Sequence, residues 1–279
     1  MRTGKDKLIK LLLIKENDCN SLELYLEKMA TKGWMFESTS PIAHFLQFKK
    51  CKPKKVKFYV DIFEGYSKDM ASGYNLPEYI GMCEEAGWNY ISEIPTPQTA
   101  FPSEYNFQVF VSEDSNALPI QTNDFFKVEP ILKSSLSILF ISIILCFYCS
   151  YKLLIKNADD IYQLNYFYII FLYIVLNPML YGIELFIWQF RAKRDLLNQN
   201  SLRYTSLKSL NIKTAILKLE ILLFISCIVL LFLLVYTDFY NFTLVENYLK
   251  IMSVIIIISN LIYIAEIIRE NVVSIDKIN

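Results

Sequence analysis

The stretch LYLEKMATKGW, Leu24–Trp34, decides how the first half of the chain is read. It reads as one amphipathic helix that runs into a Gly-Trp pair. EYIGMCEEAGW, Glu78–Trp88, repeats the arrangement: Leu26, Met29, Gly33, Trp34 and Phe36 fall on Ile80, Cys83, Gly87, Trp88 and Tyr90 at one constant offset. A glycine can take the left-handed conformation that stops a helix, and the next residue then begins a returning strand. A large flat side chain at that point fills the space between helix and sheet. Gly33, Trp34, Gly87 and Trp88 therefore read as two matching helix-to-strand corners, in preference to a pair of ligand cages.

Working outward from these corners, the spacing predicts a strand over Leu8–Lys15, then a helix capped by Asn20 or Ser21 and running to about Lys32. Strands follow over Trp34–Thr39, His44–Lys50 and Val56–Phe63, with Pro41 and Pro53 marking turns. Pro77 opens a second helix that Gly87 ends, and strands over Trp88–Ser92 and Asn106–Ser112 flank a loop with Pro95, Pro97 and Pro102. This order predicts an α+β domain over residues 1–130, with an antiparallel sheet and two helices on a ferredoxin-like plan with additions.

Charge is distributed unevenly along the 279 residues, although the formal net charge is zero. Lys49–Lys57, KKCKPKKVK, places Lys49, Lys50, Lys52, Lys54, Lys55 and Lys57 at one hairpin, whereas residues 78–129 hold nine acids and one lysine. The domain is dipolar, and its basic tip is a candidate contact for a membrane surface or a partner, weighed against a merely solvated hairpin. Nucleic acid is disfavoured as a partner, because the domain as a whole is slightly acidic.

Beyond Pro130 the chain carries long uncharged stretches, and residues 131–279 read as an all-α bundle of four transmembrane helices. The spans fall at about 134–155, 161–186, 219–237 and 248–268. Seven basic residues between the second and third spans (Arg191, Lys193, Arg194, Arg203, Lys208, Lys213 and Lys218), against Asp195, predict a multi-pass cell-membrane protein with both termini cytoplasmic. Glu184, Glu220 and Glu266 sit at span ends near the cytoplasm, where they read either as headgroup-level acids or, with the Asn177-Pro178 kink, as an intramembrane polar site. The membrane reading makes lipid a partner of the whole chain.

No enzymatic constellation emerges. His44 is the lone histidine, the seven glycines form no phosphate-binding loop, and no nucleophile elbow occurs. Cys146 and Cys149 have C-x-x-C spacing but lack a second pair for zinc, and the six cysteines read as reduced thiols. No metal or cofactor is expected.

LIKLLLIK, LEKMATKGWMFES, HFLQFKKCKPKKVKFYVDIF, YIGMCEEAGWNYI, FQVFVSED and LPIQTN together resemble the domain-of-unknown-function family 2812 over about residues 5–125. Ala30, Lys32, Gly33 and Trp34 carry the most distinctive part of the resemblance, with Thr31 interrupting the usual order. The resemblance implies a bacterial membrane protein with C-terminal spans and genes often adjacent to PadR-type transcription regulators, and it supplies no catalytic residues. The expected function is a non-enzymatic, membrane-tethered regulatory or sensor module that binds a protein partner or small ligand. The alternative is a small transporter or channel subunit using the four helices.

Overall fold

The computed structural model describes residues 6–40, 45–64, 76–95, 105–114, 117, 139–144, 177–198, 205–237 and 242–273. Its first strands and helices form the same unit twice. β1 (Lys7–Leu11), α1 (Cys19–Thr31), β2 (Trp34–Thr39) and β3 (Phe45–Lys50) make one half; β4 (Lys57–Glu64), α2 (Leu76–Glu85), β5 (Asn89–Pro95) and β6 (Tyr105–Ser112) make the other. Each half closes into its own antiparallel sheet with the third strand in the middle, in the orders β1-β3-β2 and β4-β6-β5.

The repeat extends to irregularities. The register of β2 on β3 shifts between Phe36 and Ser38, and that of β5 on β6 between Tyr90 and Ser92, so both ends of the bulge recur 54 residues later. Such a bulge bends a strand and increases its twist. Aromatic contacts recur as well. Tyr25 meets Phe48 edge-on at 6.4 Å and Phe36 meets Phe48 at 6.0 Å. In the second half Tyr79 meets Phe110 at 6.0 Å and Tyr90 meets Phe110 at 5.5 Å.

This arrangement corrects the expectation of one ferredoxin-like sheet. β4 leaves the first sheet and pairs along its whole length with β6, Lys57 opposite Ser112 through Glu64 opposite Tyr105. The physical reason lies in residues 51–56, which fold back over the end of α1 and carry the chain away from β3. The strand expected over Leu8–Lys15 also stops early. Beyond Leu11 the chain enters a 3-10 turn at Glu16–Asp18, where the Asp18 carboxylate accepts a hydrogen bond from the Lys15 backbone N–H at 2.9 Å.

α1 buries Leu22, Leu26, Met29 and Ala30, spaced to line one helix face. That face joins Phe36, Leu46 and Phe48 of the first sheet to Phe58, Val60, Phe107 and Val109 of the second in one core. Alternation along β4 and β6 sends Tyr59 and Phe110 to the opposite side, where Tyr79 and Cys83 of α2 and Trp88 cover them. Full burial of a leucine such as Leu26 contributes roughly 1.5–3 kcal/mol relative to exposure.

By contact density the chain divides into two units: residues 1–134 with Leu185–Asn211, and residues 135–184 with Ile212–Asn279. The helices concerned are α3 (Asn177–Leu197), α4 (Leu207–Thr237) and α5 (Phe242–Val273). In the first unit, Leu207 and Leu210 pack on the main core, and the Thr205 carbonyl accepts the Ser21 hydroxyl. In the second, Leu180, Tyr263 and Ile267 form a core with Ile216 and Ile264.

The expected four-span membrane domain is overturned, and with it the multi-pass localisation. Among the described residues no helix is long and apolar enough to cross a membrane. Charged positions divide the helices: the uncharged run of α4, Ile221–Thr237, has 17 residues and that of α5, Ile251–Ala265, has 15. Both fall short of the 20 or so residues that span hydrocarbon. α3 is interrupted by Glu184 and again from Arg191 onward. Most of the first two expected spans, and Cys146 and Cys149 within them, lie outside the described residues, as does His44. The transporter or channel alternative needs those spans and is not carried forward.

Candidate functional site

Two features of the sequence meet at Gly33. Its φ is +80°, a conformation open to glycine, and its backbone carbonyl accepts the Cys51 N–H at 2.9 Å. The Lys54 N–H bonds the Ala30 carbonyl at 3.2 Å. A Cβ on Gly33 would lie 2.9 Å from the Cys51 carbonyl oxygen and 3.6 Å from the Pro53 ring. The lysine-rich connection is therefore fastened onto the C-terminal turn of α1. The negative end of the helix macrodipole lies beneath it, which favours cations there.

All six lysines of the connection are exposed. Lys54 is paired with Glu113 at 2.7 Å, and the Glu113 carboxyl is held below its ordinary range by that hydrogen bond and by the lysine charge. Lys57 lies 3.9 Å from Glu27. Among the described residues Lys49, Lys50, Lys52 and Lys55 make no ion pair. Lys49 stands directly across the sheet from Lys7, another exposed lysine, so like charges are juxtaposed on a rigid strand pair.

Gly87 has φ +87°, yet among the described residues, its own chain neighbours aside, no atom lies within 4 Å of the position a Cβ would take. The two corners thus share a backbone conformation, but among the described residues only the first receives a second segment of chain. Trp34 is half-buried against the main core, whereas Trp88 is buried and packs 5.5 Å from Tyr59.

Beside Trp88 lies a buried polar cluster that inspection of the sequence missed. The Asp61 carboxylate accepts the Tyr79 hydroxyl at 2.5 Å and the Ile62 N–H at 2.9 Å. Burial, then the Asp61 charge, pushes the Tyr79 phenol far above its usual value. Burial likewise raises the Cys83 thiol to about 11, against a smaller lowering from its hydrogen bond with Tyr79. Cys83 is therefore a protonated, inert thiol at neutral pH, because only the thiolate is a nucleophile or metal ligand. Tyr90, also raised by burial and then by Glu93, donates to Gln108 at 3.1 Å. The available signal was Asp61 itself, the charge inside the strand KFYVDIFE on the face shared with Tyr59.

The three helical glutamates are each buried and each partnered. Glu184 accepts from Lys213 at 2.5 Å and from the Tyr263 hydroxyl, and Lys213 also reaches Glu270 at 3.4 Å. Glu220 accepts from Ser259 at 3.3 Å, and Glu266 from Arg269. Asn177 is the first residue of α3. Lys213, Tyr263 and Glu270 had no individual signal in the sequence, since Lys213 read as one of seven basic loop residues. Among the described residues no group of histidine, cysteine, aspartate or glutamate is arranged to hold a metal.

Residues 18–142 match the family model described as "Protein of unknown function (DUF2812)". The match begins at the end of the 3-10 turn, leaving out β1, and extends past β6, so it starts later and ends later than the segment of about residues 5–125 that carried the resemblance in the sequence. It supports that family for this stretch, without its membrane character. No curated protein and no solved structure matches the chain.

Proposed function

We propose that the double βαββ unit, whose greater part matches the family of unknown function, is a non-catalytic binding module of a regulatory protein. Its recognition surface is the lysine-rich connection, and its partner is a protein with an acidic surface. The observation that carries this reading is the combination of four exposed lysines that make no ion pair among the described residues and a backbone fastened to α1 at Gly33 and Ala30. A fixed array of like charge costs self-repulsion in the free protein and gains complementarity when an acidic partner arrives.

The test uses the full chain and labelled polyglutamate in fluorescence anisotropy. Lys52→Glu with Lys55→Glu weakens binding at least tenfold, and binding to the wild-type chain falls steeply as salt rises. Equal binding by the doubly reversed chain would refute the reading.

A further inference from the structure

We propose that the edge of β1 facing away from β3 takes an extended acidic peptide of the partner protein as a fourth strand of the first sheet. The inference rests on the binding-module reading above and supplies its mode of recognition.

Pairing fixes which groups face outward. The Lys50 N–H bonds the Asp6 carbonyl at 2.9 Å, so Asp6 and Lys50 form a hydrogen-bonded pair of the β1–β3 ladder. Pairs alternate between bonded and non-bonded in an antiparallel ladder. With Leu8 opposite Phe48 and Lys10 opposite Leu46, residues 8 and 10 bond to β3, and Lys7, Ile9 and Leu11 turn their N–H and C=O groups away from it. The other side of β3 agrees, because the Phe45 carbonyl accepts the Ser40 N–H on the β2 side.

The four sheet edges are treated differently. On β4, the outward N–H groups of Phe58, Val60 and Ile62 are taken by the carboxylates of Glu27, Glu23 and Asp61 at 3.4, 2.8 and 2.9 Å. β2 and β5 lie beside one another, with the Thr39 hydroxyl donating to the Glu93 carbonyl at 3.4 Å. Among the described residues β1 pairs with β3 alone. Its edge is a template for strand addition, in which main-chain hydrogen bonds supply affinity and alternate side chains supply specificity.

Charge selects the occupant. Residues 6–11 and 45–50 hold Lys7, Lys10, Lys49 and Lys50 against Asp6. Lysines on an edge oppose pairing with another copy of the same strand. Side chains alternate along a strand, so Lys7 and Lys49 share one face of the sheet and Lys10 lies on the other with Lys50. An incoming strand with carboxylates at alternate positions presents them to the Lys7–Lys49 face.

The experiment uses the full chain and a labelled eight-residue peptide alternating glutamate with valine or threonine. A twin peptide, N-methylated on alternate backbone amides, has the same charge but cannot complete a ladder. The unmethylated peptide binds at least tenfold more tightly than its twin. Ile9→Pro removes an outward donor that the β1–β3 ladder does not use, and it weakens peptide binding at least tenfold while polyglutamate binding persists. Equal binding of the two peptides overturns the proposal. If Ile9→Pro fails to fold by circular dichroism, the peptide pair on the wild-type chain decides. Loss of binding only in the Lys52/Lys55 double reversal, with methylation neutral, leaves the basic surface standing and removes the strand mode. Concentration-dependent dimerisation abolished by Ile9→Pro, without peptide binding, would assign the edge to a second copy and also overturn it.

Discussion

At Gly33 a conformational demand and a steric one fall on the same residue. A side chain there would strain a backbone at φ +80° and also press on the Cys51 carbonyl at 2.9 Å. Gly87 carries the first demand alone. Gly33→Ala is therefore expected to destabilise by more than Gly87→Ala, which itself costs roughly 1–2 kcal/mol for a left-handed conformation; paired urea titrations measure the difference. The repeat made both glycines visible in the sequence, but the Cys51 contact joins residues 18 positions apart through a hairpin, and no periodicity encodes it. Cys83 gives a second residue-level expectation. Its folded acidity is weaker than its ordinary value of 9.0, so the unfolded chain ionises first. Stability contributed by the neutral thiol is complete below pH 9.0 and is lost as pH rises toward about 11. Cys83→Ala flattens that part of the profile in denaturant titrations repeated across alkaline pH.

Between elements, α1 does what α2 does not. α1 covers its own sheet and also presents Glu23 and Glu27 to the backbone of β4. The positions 54 residues later are Pro77 and Gly81, which have no carboxylate to offer. Removing the acids with Glu23→Ala and Glu27→Ala leaves two strand donors without those partners, at about 1 kcal/mol each. The uncovered edge also promotes self-association, which light scattering detects. Helix and strand order in this half was legible from the sequence, because the 3.6 and 2.0 periodicities are local. The division into two sheets was not, since it depends on β4 choosing β6 over β3. Both choices satisfy the same alternation of apolar residues, and only the path of residues 51–56 distinguishes them.

At the scale of the whole chain, the least legible part was the region after residue 130. Apolar composition alone suggested four membrane spans, whereas the structure places ionic and hydroxyl groups inside helices that were read as their ends. In the second unit Lys213 is almost fully buried between Glu184 and Glu270. Lys213→Met leaves both acids without that cation and is expected to cost about 3–5 kcal/mol. Glu270→Gln, at the longer and more exposed end of the cluster, costs less; thermal unfolding of the two variants ranks them. The fastened connection has its own consequence for proteolysis. Five of its six lysines precede a residue other than proline, so composition alone makes Lys49–Lys57 the richest trypsin target in the chain. A protease must draw several residues of backbone into its cleft, and here that requires first releasing the bonds to Gly33 and Ala30. The densest cluster of cleavage sites should thus be among the slowest cut in the native protein, and Gly33→Ala should turn it into one of the first.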